Sequence, residues 1–475
     1  MDPVSLSQLA TWSHATLLNG DPDALVTGVS HDTRTIKPGE LYIALRGENF
    51  DGNVFIQEAY HKGAVGALCA SMSVMSRPPA PQEAGQELPG KFAMLHVEDP
   101  LEGLTALAAQ WRQELGLRSV VITGSNGKTS TKDFTTLLLE KSFHVTSTRG
   151  NFNNHIGLPL SILRANSSDQ VAVWEIGMNH PGEILPLALL ARSDIAIITN
   201  IGTAHIGFLG SREAIAHEKG NLLTTLSPDG LAILGAADDF CDFLASRTQA
   251  RILRVGIGLG DLQATHLVSL PRGGMEFQVS YEGVSLPAYL PVMGAHMVQN
   301  ALSALAVGLA CKISLEEGID ALRKVQSSSS RLKLYEYGDI MVVDDAYNAS
   351  PDSMEAALSS IAALESQRKI ALLGCMGELG DYAMKGYERV GFKAADLLDV
   401  LIVVGNEALP LAQVGRSCRI KEVYHVPNNN EAIALALSII RGGDVLLIKG
   451  SKRACLHEVV DAVRKSLLKK NLTSQ

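Results

Sequence analysis

The stretch VVITGSNGKTSTKDF, residues 120–134, holds the residue types that phosphate chemistry needs, in the order it needs them. A buried strand runs into a glycine-rich turn, and Lys128 and Thr129 then open a helix. In a phosphate loop the backbone N–H groups and the helix N-terminus face the phosphate oxygens. The lysine reaches the terminal phosphates, and the hydroxyl after it binds Mg2+. Gly124, Ser125, Asn126, Gly127, Lys128, Thr129 and Ser130 are the candidates. The usual G-x-x-x-x-G-K spacing is shortened, because only Ser125 and Asn126 separate Gly124 from Gly127. The bland alternative is a strand–helix turn with an incidental lysine. Strand, glycines, Lys-Thr and helix arriving in order weigh against it.

A second set of candidates lies at later strand ends. VWEIG places Glu175 at the tip of one strand, and TNIGTAHIGFLGS places His205 just after the next. Carboxylates at the C-terminal ends of parallel strands face the ligand crevice, and a carboxylate suits Mg2+, which takes oxygen ligands. Histidine is an odd Mg2+ ligand, so by its chemistry alone His205 reads as a hydrogen-bonding or capping residue. Lys219, in AHEKGNLL, reads by itself as an ordinary solvated helix lysine.

The elements that must position these residues are legible from apolar patterning. SVVITG, VAVWEIG, IAIITNIG and LAILG are too apolar for half-exposed strands, which predicts a mostly parallel α/β sheet covered on both faces. MEFQVSYEG alternates at Phe277, Val279 and Tyr281, which predicts a small antiparallel section over 264–290. NALSALAVGLACK (300–312) reads as a buried helix. IMVVDDAY, KIALLG, VLIVVG and DVLLIKG then restart the pattern as a second doubly wound sheet. In the N-terminal part, EAYHKGAVGALCA reads as a helix running into a strand, and FAMLHVED as a last strand. SRPPAPQEAGQELPGKF (76–92) reads as a solvated loop and SSSS (327–330) as a linker. The expected domains are 1–99, 100–328 and 329–475.

Composition bounds the partners. A chain of 475 residues exceeds one compact core, and 46% hydrophobic with 19% charged residues suits a soluble globular enzyme. With 5% aromatics and a net charge of -9, neither a nucleic-acid footprint nor an anionic-membrane one is expected. Six scattered cysteines without a CxxC pair read as free thiols in a reducing cytosol. The start, MDPVSLSQLATW, lacks a basic segment followed by an apolar core, and no apolar run would span a membrane. A cytoplasmic monomer is the expectation.

TGSNGKTSTK, GNFNNHIGLPLSIL, EIGMNHPGEI, TNIGTAHIGFLGS, GAHMVQNALSALAVG and DDAYNASPDSMEAAL, in this order, resemble the Mur ligases of peptidoglycan synthesis. The folylpolyglutamate synthases are their more distant relatives. The resemblance covers essentially the whole chain. DDAYNASPDSM is its most specific block, and no DNPR-like stretch occurs. Within the family this points to the member that adds D-alanyl-D-alanine to UDP-N-acetylmuramoyl-tripeptide. The resemblance implies a first domain for the UDP end, a central ATPase and a Rossmann-like third domain that closes over the site.

It further implies that Lys128 contacts the β/γ-phosphates of ATP, and that Thr129 and Glu175 hold one Mg2+. His205 and a carbamylated Lys219 hold or support a second ion. Asn300 matches the asparagine near the adenine. Arg331 and Asp345 match the pair that the third domain brings to ATP, with Tyr347 and Asn348 on the same loop. Ser30, Thr33, Arg34 and Arg46 match the uridine-nucleotide block. Asn153 and Asn154 match the loop that reaches the UDP-sugar. His155, Met297, Ser330, Cys375 and Gly377 depart from the family pattern. The competing readings are another amino-acid ligase of the superfamily, a P-loop kinase or NTPase switch, and a non-catalytic nucleotide-binding regulator. The shortened loop and the Glu175/His205 pair argue against the second, and the retained set Lys128, Thr129, Glu175, His205 and Lys219 against the third.

Overall fold

The computed structural model describes residues 1–70, 92–327, 330–418 and 420–473. The loop expected at 76–92 lies, apart from Phe92, outside the described residues, as do positions 328 and 329 of the expected linker. The chain divides into two compact units. One comprises 1–121, 143–177 and 185–193; the other comprises 122–142, 178–184 and 194–475.

In the first unit a five-stranded sheet runs in the order Thr16–Asn19, Ala93–His96, Gly66–Cys69, Glu40–Ile43, Gly28–Ser30. Only Thr16–Asn19 is antiparallel to its neighbour. Gly66–Cys69 and Ala93–His96 sit mid-sheet, and their apolar residues pack with Tyr42, Ile56 and Phe92 into one cluster. The helix Ile56–His61 does run into the strand Gly66–Cys69. The helix Pro100–Leu115 starts with Asp99 as N-cap and Pro100 in its first turn, and stops at Gly116 with φ +58°. Val145–Ser147 and Val171–Glu175 pair in parallel.

In the second unit Ile195–Ile198, Leu231–Gly235 and Arg251–Ile257 pair in parallel. An antiparallel meander, Leu262–Ser269, Met275–Tyr281 and Val284–Leu290, follows beside them. Phe277 and Val279 are buried, as the alternation predicts. The helix Ala295–Ala310 is buried on most of its circumference. A six-stranded sheet has the order Lys333–Tyr337, Ile340–Asp345, Asp444–Lys449, Arg368–Leu373, Val400–Val404, Glu422–Val426. All pairs in it are parallel except the first. Its outer strands, Lys333–Tyr337 and Glu422–Val426, are additions to the four expected from sequence. Both are edge strands with mixed polar and apolar letters, so they lack the continuous apolar run of a covered strand. At the foot of this sheet Arg368 forks onto the fully buried Asp444 at 2.9 and 2.6 Å, an ion pair that needs both partners. No described helix is long and apolar enough to cross a membrane.

Candidate active site

The phosphate-type loop of the second unit joins the strand Arg118–Thr123 to the helix Lys128–Leu139. Gly124 has φ +149°, and a Cβ there would lie 1.9 Å from the Thr199 hydroxyl. Gly127 is the helix N-cap with φ +81°, and a Cβ would come within 2.5 Å of the Asn300 amide oxygen. Both positions are closed to a side chain. The loop is pinned by the strand-end segment 199–202. Ser125 N–H donates to the Asn200 carbonyl at 2.9 Å, and Asn126 N–H to Asn200 Oδ1 at 3.1 Å. The Asn126 carbonyl accepts Thr199 Oγ1 at 2.6 Å. Gly202 N–H donates to Ser125 Oγ at 2.9 Å.

No side chain caps the N-terminus of the helix Lys128–Leu139, so its dipole end and first N–H groups form an anion cradle. Lys128 Nζ folds onto the Gly124 carbonyl at 2.8 Å, within the loop it would serve. Thr129 and Ser130 are buried in the first turn. Asn300 lies against Gly127, and its amide meets the Met297 sulfur at 3.7 Å, so the departure at Met297 supplies Asn300 with a weak partner.

Lys219 departs most from local expectation. Its helix, Arg212–Gly220, is short and polar, yet the side chain is 0% exposed and its amine has no hydrogen-bond partner. The solvated-lysine reading is therefore corrected: tertiary packing, not helix pattern, sets its burial. Desolvation drives its pKa well below that of an ordinary lysine, and Lys128 pushes in the same direction. The neighbouring Glu218 does not neutralise it by contact. Glu218 spends its carboxylate on the Gly182 and Ile184 N–H groups, at 3.0 and 2.8 Å.

His205 caps the short helix Ile206–Leu209 by position, with φ +64°, but its side chain makes no cap bond. Its ring Nδ1 instead meets the Glu378 carboxylate. The imidazole beside it holds the Glu378 carboxyl below its usual range.

The later candidates gather at the ends of the six-stranded sheet. The Asp345 carboxylate accepts Leu332 N–H at 3.2 Å and pairs with Lys449 at 2.7 Å. Burial pushes its pKa up, with Lys449 pulling the other way. Lys449 also donates to the Asn348 carbonyl at 2.9 Å. Arg331 stacks over the Tyr347 ring at 4.4 Å. Ser330, where the family often has glycine, takes φ +55°, a left-handed conformation that glycine adopts without cost.

In the first unit Asn153 donates to Glu175 Oε1 at 2.8 Å, joining two residues that the sequence assigned to different ligands. Glu175 is 2% exposed, and its N–H donates to Thr148 Oγ1 at 3.0 Å. Asn154 accepts the N–H groups of Ile156 and Gly157. Ser30 and buried Thr33 flank a turn in which Arg34 clasps Asp32. Arg46 pairs loosely with Asp51 within its own two-stranded ribbon. His31 contacts Phe152 edge-on, bringing the 30–34 turn to the Asn153 loop, and Arg164 covers the same ring. Sequence reasoning missed His31, Phe152, Arg164, Glu378 and Lys449. The signal for His31, Phe152 and Glu378 was adjacency to residues already singled out; Arg164 and Lys449 carried none.

Among the described residues no group of three or more His, Cys, Asp or Glu side chains gathers to hold a metal. The cradle at Gly124 and Gly127 fits a phosphate chain. The orphaned, desolvated Lys219 amine fits an acidic modification better than a cation.

Three family models match the chain: "Mur ligase family, catalytic domain" at 25–112, "Mur ligase middle domain" at 122–308 and "Mur ligase, glutamate ligase domain" at 330–452. Among curated relatives, the UDP-N-acetylmuramoyl-tripeptide–D-alanyl-D-alanine ligase of Bacillus subtilis is 34% identical, over 96% of this chain and 97% of its own. The enzyme of the same name from Escherichia coli is 32% identical, over 98% and 99%. A crystal structure of MurF from Acinetobacter baumannii superposes with a TM-score of 0.86 at 30% identity, covering 98% of this chain and 99% of that one. MurF from Thermotoga maritima, solved with ADP, shares the fold at a TM-score of 0.81 and 24% identity, over 93% and 98%. The three-domain α/β fold, with a mostly parallel sheet and a small antiparallel section, is the one these structures have.

Proposed function

The chain belongs to the Mur ligase family, and from that premise we propose that it joins D-alanyl-D-alanine to UDP-N-acetylmuramoyl-tripeptide, forming the UDP-MurNAc-pentapeptide at the expense of ATP. The full-length likeness to ligases carrying that name supports the substrates. The observation that carries the chemistry is the shortened phosphate loop, with Lys128 folded onto Gly124 and the buried, unpartnered Lys219 in its electrostatic reach. The domains follow the reading: 1–99 for the UDP end, 100–328 for ATP and 329–475 as the Rossmann-like closing domain of a cytoplasmic enzyme.

Amide formation from a carboxylate and an amine is uphill in water. The tripeptide carboxylate attacks the γ-phosphate, ADP leaves, and the acyl phosphate is taken by the dipeptide amine with release of phosphate. The first step brings two anions together. Lys128 and the backbone N–H groups of 124–130 hold the phosphates, and Arg331 adds positive charge on the transferred group. Asp345 and Asn300 orient the nucleotide. Ser30, Thr33, Arg34, Arg46, Asn153 and Asn154 are assigned to the uridine-nucleotide substrate. Tyr347 and Asn348 are assigned to the closing side of the site.

Magnesium, when bound, supplies further charge against that repulsion. Thr129, Glu175, His205 and a Lys219 carbamate are the residues assigned to it. A buried neutral amine is the form that attacks CO2, losing a proton as the N–C bond forms, so the depressed pKa of Lys219 supports the carbamate. A carbamate carbon signal after exposure to 13CO2, absent in Lys219→Met, checks that assignment. Phosphate release from ATP tests the function. It is expected only when both UDP-MurNAc-tripeptide and D-Ala-D-Ala are present, and not with a single D-alanine or an L-amino acid. Turnover in folded, ATP-binding protein that ignores the dipeptide would rule the reading out.

A further inference from the structure

The loop Gly202–Gly207, which carries His205, is gripped from one side by two acidic residues of later sequence. Asp352 sits in the first turn of the helix Pro351–Ala362. One of its oxygens accepts both the Thr203 N–H at 2.6 Å and the Thr203 hydroxyl at 2.7 Å. Glu378 meets the His205 Nδ1, and the Glu378 carbonyl accepts Gly207 N–H at 2.9 Å. The approach leaves no room for side chains. A Cβ on Gly202 would lie 2.5 Å from the Asp352 carboxylate, and one on Gly207 would lie 2.6 Å from the Gly380 nitrogen.

The grip is braced at its back and tied in front to the phosphate loop. The second Asp352 oxygen accepts Arg389 at 3.1 Å, and Arg389 forks onto Glu355 at 3.1 and 2.7 Å. In front, the Ser350 hydroxyl, N-cap of the same helix, reaches Asn126 Oδ1 at 3.1 Å. His205 and Glu378 both hold left-handed backbone, with φ +64° and +61°. Such a conformation costs a non-glycine residue about 1–2 kcal/mol and persists where neighbouring contacts enforce it. Contact with the Glu378 carboxylate fixes where the imidazole lies and leaves its other nitrogen for chemistry.

We infer that Asp352 and Glu378 are positioning residues that clamp the loop Gly202–Gly207 and present His205 through Nε2, so that the His205 position is assembled only while these later segments are seated on it. This rests on the ligase reading, which gives His205 its task. Asp352 and Glu378 both lie in the expected third domain, whereas His205 lies in the expected central one.

The test uses the full-length chain with ATP, Mg2+, UDP-MurNAc-tripeptide and D-Ala-D-Ala. Glu378→Ala is expected to lower kcat by about 10- to 100-fold with the KM of both peptide substrates unchanged. Glu378→Gln, which keeps an acceptor of the same size, should recover part of that loss. Thr203→Val, which removes only the hydroxyl bond, should lower kcat by a few-fold. The ring-nitrogen 15N resonances of His205, identified by their absence in His205→Gln, should show a protonated Nδ1 in the parent chain and a tautomer mixture in Glu378→Ala. Unchanged ring-nitrogen shifts, or a kcat within about twofold of the parent in folded Glu378→Ala, would overturn the clamp. If Glu378→Ala does not fold, Thr203→Val decides by the same kcat criterion. Absence of dipeptide-dependent turnover in the parent chain would defeat the ligase reading, and the 15N spectra would still decide the clamp.

Discussion

Two lysines of the second unit are almost wholly out of water, and they are buried on opposite terms. Lys449 is 2% exposed at the end of the strand Asp444–Lys449; its amine pairs with Asp345 at 2.7 Å and donates to Asn348 O at 2.9 Å. Lys219 is 0% exposed and has no partner. An isolated ammonium is costly to bury, and desolvation pushes the Lys219 pKa well below that of an ordinary lysine. The contrast teaches how to read a buried amine. One that the protein satisfies is part of the architecture, here tying the Asp345 strand to the Tyr347–Asn348 loop. One that is left unsatisfied is kept for a ligand or a modification.

The largest expected effect falls on Lys219. Lys219→Met should lower turnover on the order of 10³-fold, while thermal stability stays level or rises, because an uncompensated polar group is removed. Steady-state ADP formation and a melting curve on the same sample check both halves. Lys449→Met should instead act on stability, costing about 3–5 kcal/mol of unfolding free energy by stranding Asp345 without its cation. Denaturant titration measures it. If the two substitutions destabilised alike, the contrast would collapse.

A smaller effect sharpens the picture around Lys449. Desolvation, with Lys449 adding to it, lowers the pKa of the partly buried His296 to about 4. An ordinary imidazole titrates near 6.5. Between those values the unfolded chain binds a proton that the folded chain refuses, so stability falls as pH falls from about 6.5 towards about 4. The loss should reach about 2 kcal/mol once partial exposure is allowed for. The drop in Tm over that window should flatten in His296→Gln; an equal slope in both proteins would remove His296 from the account. The smallest stability effect is expected at Arg34, whose side chain is 84% exposed. Arg34→Ala should leave Tm where it was and raise the KM for the uridine nucleotide about tenfold.

Legibility followed the range of the interactions. The covered strands were readable because SVVITG, IAIITNIG and DVLLIKG are apolar on both faces, and the phosphate loop because its glycines, lysine and hydroxyl are consecutive. The edge strands Lys333–Tyr337 and Glu422–Val426 escaped because one face meets solvent and the run is interrupted. Local sequence misplaced Lys219 in solvent, since AHEKGNLL is polar around it and burial came from the elements packed over its helix. His205 was readable as chemistry-bearing but not as oriented, because Glu378 lies far along the chain and the pairing exists only after the loops meet.

By itself the sequence determined which residues could do chemistry, the phosphate-loop type and the parallel α/β class, since these depend on neighbouring letters and on apolar period. The tertiary structure alone decided which lysine is satisfied and which is not, that Asn153 sits on Glu175, and that Asp352 and Glu378 hold the His205 loop. Burial and long-range pairing depend on which surfaces meet when the chain closes on itself, and no local pattern in the sequence records that.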